Sequence, residues 1–251
     1  MVFYGDNFDQ DILSQHDLLV LDPFFLGDLS KLHARGSRTF GYVSLGEVEK
    51  GNIVYPLLDD PTVMLDENLN WPGSYRVDFR KPAWTNLMVN RVIPSILEQG
   101  FEGLFFDTLD VAAYLEWVDA KKFRGMRYAA IDLVRAIRHR FPDTPIIMNR
   151  GYDLLADVHH DVDAVLAESL LTGFDGKGGY VLLDQPQIDQ QLRLLEPVKQ
   201  RATSPLPILS LDYWNPDDRV TIQELYRRER ELGHYPYVST RALNDVFSEP
   251  Q

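Results

Sequence analysis

A chain of 251 residues, 45% of them hydrophobic, is long enough to bury one sizeable core and too apolar to remain disordered. Its 38 acidic residues against 25 basic ones leave a net charge of −13, which disfavours nucleic acid and anionic membrane surfaces and favours cationic partners, with plain solubility as the simpler explanation. Cysteine is absent, which excludes disulfides, thiol nucleophiles and thiolate metal sites, and no apolar run approaches the length that spans a bilayer.

The N-terminal MVFYGDNFDQ lacks the basic-then-apolar order of a signal peptide, and its VFYG (2–5) already reads as a strand. LLVLD (18–22) and TFGYVSL (39–45) follow as strands. Residues 46–83 hold many turn formers, so YRVDF (75–79), a ninth strand candidate, is placed in a long loop between the third strand and its helix. The next helix, over 84–99, carries Pro94, which predicts a kink or a shifted start. GLFFD (103–107) is the fourth strand, and Met126, Ala130, Leu133, Ile137 and Phe141 then recur at helical spacing. IIMN (146–149) and AVLAE (164–168) are the fifth and sixth strands. GFDGKGG (173–179) lacks the P-loop pattern and reads as a flexible loop over a cleft. A helix over 187–200, with Ile188, Leu192 and Leu195 on one face, leads to ILSLD (208–212). The helix over 221–233 opens on a Thr221–Glu224 capping box and ends at Gly233, and YPYVS (235–239) is the last strand. Most of these strands are continuous apolar runs, the pattern of parallel strands covered on both faces. Eight of them alternating with helices predict an α/β fold, a (β/α)8 TIM barrel forming a single domain over 1–251, in a mature protein or as part of a longer one. A doubly wound sheet alternates in the same way.

Catalytic groups in such barrels sit at the C-terminal ends of strands. Here those ends carry Asp22, Glu47, Asp107, Asn149, Glu168 and Asp212, with Tyr4, Tyr42, Tyr213 and Trp214 beside them. Carboxylates that grip hydroxyls or move protons, together with rings that stack on sugar faces, describe a carbohydrate cleft. Structural explanations stand beside several of these residues. Asp22 could satisfy loop amides, Asp110 could cap the segment after it, Asn149 and Arg150 could form a turn, and Glu168 could sit in a buried ion pair. The histidines show no metal-ligand spacing, and no serine has an evident His and Asp partner, so neither a metal site nor a serine triad is expected.

The motifs GYVSLGEVE (41–49), VDFRKPAW (77–84), GLFFDTLD (103–110), NRGYDLL (149–155) and AESL (167–170) resemble those of the endo-α-1,4-galactosaminidases. The chain is similar to glycoside hydrolase family 114, and closer still to family 166, the hydrolase domain of the Pel polysaccharide enzyme. The likeness runs from FYGDN to YPYVS, in order. It implies a (β/α)8 fold and endo-cleavage of an α-1,4-linked galactosamine and N-acetylgalactosamine exopolysaccharide of biofilms. It also implies a periplasmic or secreted setting, a flanking deacetylase domain in the full-length protein, and no metal or organic cofactor. That likeness implies an acidic pair at the fourth and sixth strand ends, matching Asp107 and Glu168, with Asp107 expected as nucleophile and Glu168 as general acid/base, the latter needing a raised pKa. The retaining α-galactosidases offer the analogy for these roles. Tyr4, Asp22, Tyr42, Glu47, Asp110, Asn149, Arg150, Asp212, Tyr213 and Trp214 are expected to bind substrate. The alternative is a barrel of the same fold that binds polysaccharide without turning it over.

Overall fold

The structure, a computed structural model, describes residues 1–199 and 205–250. Eight strands correspond to the eight apolar runs: β1 (Val2–Phe3), β2 (Leu18–Leu21), β3 (Arg38–Ser44), β4 (Gly103–Asp107), β5 (Ile146–Asn149), β6 (Ala164–Glu168), β7 (Ile208–Tyr213) and β8 (Tyr235–Ser239). They hydrogen-bond in sequential order from β1 to β8, which with the intervening helices makes the fold a (β/α)8 barrel. The chain resolves into two compact units, residues 1–41 with 163–251, and residues 42–162.

In the first unit, β2 lies parallel between β1 and β3, with Val20 opposite both Val2 and Phe40. β7 likewise lies parallel between β6 and β8, with Leu209 opposite Leu166 and Tyr235. The side chains of Phe3, Leu19, Val20, Leu21, Val165 and Leu211 are buried. The helix Arg219–Glu231 covers this layer through Ile222, Leu225 and Tyr226. Its start differs from expectation. Asp218 is the N-cap and its carboxylate accepts from the Thr221 amide at 3.2 Å, so Thr221 is already inside the helix and no Thr221–Glu224 box forms. Glu224 instead pairs with Arg227 one turn on. The helix Gln185–Lys199 buries Ile188 and Leu195; of the expected 187–200, Gln200 lies outside the described residues. The GFDGKGG segment is not an irregular loop. Thr172–Phe174 pairs antiparallel with Tyr180–Leu182, and Asp175 closes the turn by accepting from the amides of Lys177 and Gly179, both at 2.8 Å.

In the second unit, β4 and β5 are parallel, with Phe105 opposite Ile147. Leu104, Phe105 and Phe106 are all buried, which at roughly 1.5–3 kcal/mol per large apolar side chain makes this strand a main source of stability. The helix Met126–Arg140 buries Met126, Ala130, Leu133 and Ile137, the face its spacing predicts, and Phe141 is its C-cap. YRVDF falls outside the eight-stranded sheet, as expected, but the long segment before it is ordered further. Ser74–Val77 is the middle strand of a three-stranded antiparallel sheet, flanked by Glu47–Glu49 and Met64–Glu67. Pro94 has no amide proton and its ring crowds the preceding turn. The helix accommodates it with a π-turn over Met88–Val92, between α-helical Pro82–Leu87 and Ile93–Glu98.

Candidate active site

Asp107 is the last residue of β4, where a buried apolar run meets partly accessible surface. Both of its carboxylate oxygens are held by neighbouring strands. The Tyr42 hydroxyl, from β3, donates to Oδ2 at 2.9 Å, and Asn149 Nδ2, at the end of β5, donates to Oδ1 at 2.8 Å. The Tyr42 ring stacks on Phe105 with centroids 6.3 Å apart, which fixes the direction of its hydroxyl. Tyr42, Asp107 and Asn149 are therefore brought together.

The backbone beneath this group is strained and heavily supported. Thr108 has φ of 63°, a left-handed conformation that β-branched residues avoid. Its Oγ1 donates to the Asp107 carbonyl at 2.7 Å, accepts from the Gly46 amide at 2.7 Å and lies 2.9 Å from Ser44 Oγ. The Leu45 amide donates to the Asp107 carbonyl at 3.0 Å. The buried Trp84 completes the support, its Nε1 donating to the Leu45 carbonyl at 2.9 Å. Arg150, after Asn149, and Ser169, after Glu168, also have positive φ, 50° and 56°. Three strand-end polar residues are thus each followed by a left-handed turn, the kind of strain that concentrates at functional sites.

The remaining residues of the second unit divide. Arg150 is exposed, and it and Gly151 both have left-handed φ, 50° and 59°. Asp110 stands at the N-cap of the helix Val111–Val118, but its exposed side chain makes no capping bond there. Glu47 is only 6% exposed, and its two oxygens accept from Asn68 Nδ2 and Ser74 Oγ, both at 2.7 Å. It ties the three-stranded sheet together.

In the first unit, Glu168 is the last residue of β6, half-buried, and its Oε1 accepts from the Tyr213 hydroxyl at 2.6 Å. Tyr213 begins a run of rings: Phe174 at 5.7 Å, then Tyr180 at 5.8 Å, then Trp214 at 6.2 Å. Trp214 is anchored by its Nε1, which donates to Asp218 at 3.0 Å. Phe174 and Tyr180 are not among the expected site residues; an aromatic on each side of a glycine-rich turn is the sequence signal that marks them. Asp22, half-buried, accepts from the Phe24 amide at 2.7 Å, the loop-amide role. Burial, reinforced by the nearby Asp6 charge and opposed by that amide, raises its pKa. Tyr4 is half-buried after β1, its amide donating to the Leu243 carbonyl at 2.7 Å. Asp212 is 1% exposed, with Oδ1 engaged by the segment after β6: the amides of Leu171 at 3.0 Å and Thr172 at 2.9 Å, and the Thr172 hydroxyl at 2.8 Å.

These features can be set beside known proteins. The profile of glycoside-hydrolase family GH114 matches residues 7–251. The glycoside hydrolase domain of PelA from Pseudomonas aeruginosa superposes with a TM-score of 0.86 at 27% identity, over 99% of this chain and 96% of that one. Aspergillus fumigatus Ega3, solved in complex with galactosamine, shares the fold, with a TM-score of 0.68 at 15% identity over 99% of this chain and 92% of its own. An uncharacterised protein of Deinococcus radiodurans is 24% identical over 246 residues, 93% of this chain and 76% of that protein. The family match spans nearly every element described above and agrees with the resemblance carried by the motifs: the chain belongs to glycoside-hydrolase family GH114, and is a glycoside hydrolase.

Proposed function

We propose that this glycoside hydrolase cleaves within α-1,4-linked polymers of galactosamine and N-acetylgalactosamine, outside the cytoplasm, with Asp107 as nucleophile and Glu168 as general acid/base. The observation that carries the reading is the holding of Asp107. A carboxylate at a barrel strand end, with each oxygen bonded to a donor from a flanking strand, is oriented as a nucleophile needs to be. Glu168 ends its own strand with Oε1 accepting from the Tyr213 hydroxyl, a placement that suits a group that must pass a proton. In the first step an Asp107 oxygen bonds to the anomeric carbon as the glycosidic bond breaks, and the departing oxygen takes the Glu168 proton. In the second, Glu168 takes a proton from water, whose oxygen bonds to the anomeric carbon and releases Asp107. Tyr4, Asp22, Tyr42, Asp110, Asn149, Arg150, Tyr213 and Trp214 are assigned to substrate, and Glu47 and Asp212 to supporting the site.

The substrate class rests on the motif resemblance and on the galactosamine bound by Ega3. The net charge of −13 fits a cationic, partly deacetylated polymer. A flanking deacetylase domain in the full-length protein belongs to the same proposal. No helix among the described residues is long and apolar enough to cross a membrane. Release of oligosaccharides from a defined galactosamine polymer tests the reading.

Two expectations follow for the kinetics. Raising salt from about 0.01 M to 0.15 M shortens the Debye length from roughly 30 Å to 8 Å. The association rate for a deacetylated polymer is expected to fall several-fold across that range, and that for a fully N-acetylated polymer to change little. Equal salt dependence, measured by stopped flow, would leave solubility as the purpose of the charge. Retention is the second expectation: proton NMR of the first-formed product should show the α-anomer. An initial β-anomer would mean inversion and would recast Asp107 as a base acting through water.

A further inference from the structure

Two carboxyl groups buried side by side must share a proton or find cations. The first unit contains such a pair, Asp212 on β7 and Glu229 on the helix Arg219–Glu231, each 1% exposed. Asp212 Oδ2 and Glu229 Oε1 have no hydrogen-bond partner among the other described groups. Burial, and then the charge of Glu229, push the Asp212 carboxyl up to about 7. Burial raises Glu229 as well. Glu229 Oε2 lies 2.6 Å from Nδ1 of the buried His234. One proton between the carboxyls satisfies both orphaned oxygens, with Asp212 as the acid and Glu229 turning its charge toward His234.

The other Asp212 oxygen is fully engaged, accepting from Leu171 N, Thr172 N and Thr172 Oγ1. Thr172 Oγ1 in turn accepts from the Tyr213 amide at 3.0 Å. Tyr213 is the residue whose hydroxyl reaches Glu168. Only Ser169 and Leu170 separate Glu168 from the clamped Leu171, and the Ser169 amide donates to the Leu211 carbonyl at 2.8 Å. Asp212 is therefore linked to Glu168 along two paths, the segment that follows Glu168 and the tyrosine bonded to its carboxyl.

We propose that Asp212 is a positioning residue for Glu168, acting as an uncharged acid that clamps Leu171 and Thr172 with one oxygen and donates its proton to Glu229 from the other. The proposal rests on the reading of Glu168 as the general acid/base.

The test is a double-mutant cycle on a defined galactosamine polymer, with the folded fraction of each variant measured by circular dichroism. Asp212→Ala is expected to lower kcat of the folded protein about 10–100-fold with KM nearly unchanged, the scale of loss when a catalytic group is slightly misplaced. Asp212→Asn keeps an acceptor for Leu171 and Thr172 and a donor for Glu229, and is expected to restore kcat to within about threefold of wild type. In a Glu168→Gln background, Asp212→Ala should cost almost nothing more, because its effect runs through Glu168. Should Asp212→Ala fail to fold, Thr172→Val interrupts the same path and is expected to lower kcat alike. An Asp212→Ala enzyme with a lower unfolding midpoint and an unchanged kcat overturns the inference, as do losses that multiply in the double mutant. Near-normal turnover in Glu168→Gln alone would instead overturn the reading of Glu168, and the two failures are distinguishable.

Discussion

Asp107→Asn and Glu168→Gln are each expected to lower turnover of a galactosamine polymer by roughly 10³-fold or more while leaving the fold intact. Asparagine keeps the shape of Asp107 and an acceptor for one of its two partners, Tyr42 or Asn149, but its amide cannot form the glycosyl ester. The Tyr42 hydroxyl can also rotate to accept from the new amide, so local structure is retained. Glutamine at 168 preserves an acceptor for the Tyr213 hydroxyl and lacks the transferable proton. The two losses differ in character. A substrate with a good leaving group needs no protonation in its first step, so it should rescue Glu168→Gln in a burst of leaving-group release and leave Asp107→Asn inactive. Measurement of kcat/KM with polymer and with an activated galactosaminide separates the roles. Normal polymer turnover by either variant would remove that residue from the mechanism.

Gly46→Ala is expected to be the most damaging single-methyl change near the site. A Cβ at this position would lie 2.0 Å from the Thr108 carbonyl oxygen and 3.1 Å from Val111 Cβ. Neither segment can readily yield. The Leu45 amide is bonded to the Asp107 carbonyl, the Gly46 amide to Thr108 Oγ1, and Thr108 already occupies a strained conformation. Overpacking of this kind costs about 1–3 kcal/mol where flexible side chains absorb it. Here the obstacle is backbone, so stability should fall by at least that much, and the displaced Thr108 should move Asp107 and lower kcat of the molecules that remain folded. A urea midpoint and a kcat both equal to wild type would mean that the segments do not meet as described.

How much of this was legible in the sequence follows from what strands and helices advertise. Continuous apolar runs such as GLFFD and AVLAE identify buried parallel strands, and all eight were found because burial on both faces writes itself into composition. The end of a run also marks where a polar residue must emerge, which is how Asp107 and Glu168 were singled out. What a run does not reveal is the face on which its last side chain lies. Successive strand residues point to opposite sides, so an error of one residue exchanges surface for core. β7 runs to Tyr213, one position beyond the expected end, and there it is Tyr213 that reaches Glu168 while Asp212 bonds into the segment after β6. Glu47 looked like Asp107 in sequence and is buried because Asn68 and Ser74, 21 and 27 residues away, supply its donors. Partners at such separations leave no local trace. The Thr221 capping box failed for a local reason: Asp218, three residues before Thr221 as Glu224 is three after it, accepts from the same amide.

The central claim is that this chain cuts galactosamine polymers internally with a pair of carboxylates. The most direct measurement is mass analysis of the earliest products released from a defined α-1,4 galactosamine/N-acetylgalactosamine polymer by the wild-type protein, with Asp107→Asn alongside. The account predicts a ladder of oligosaccharides of mixed length from the first minutes, each gaining one water, and an intact polymer with the variant. A polymer left intact by the folded wild-type protein, or a ladder produced equally by both, would contradict it.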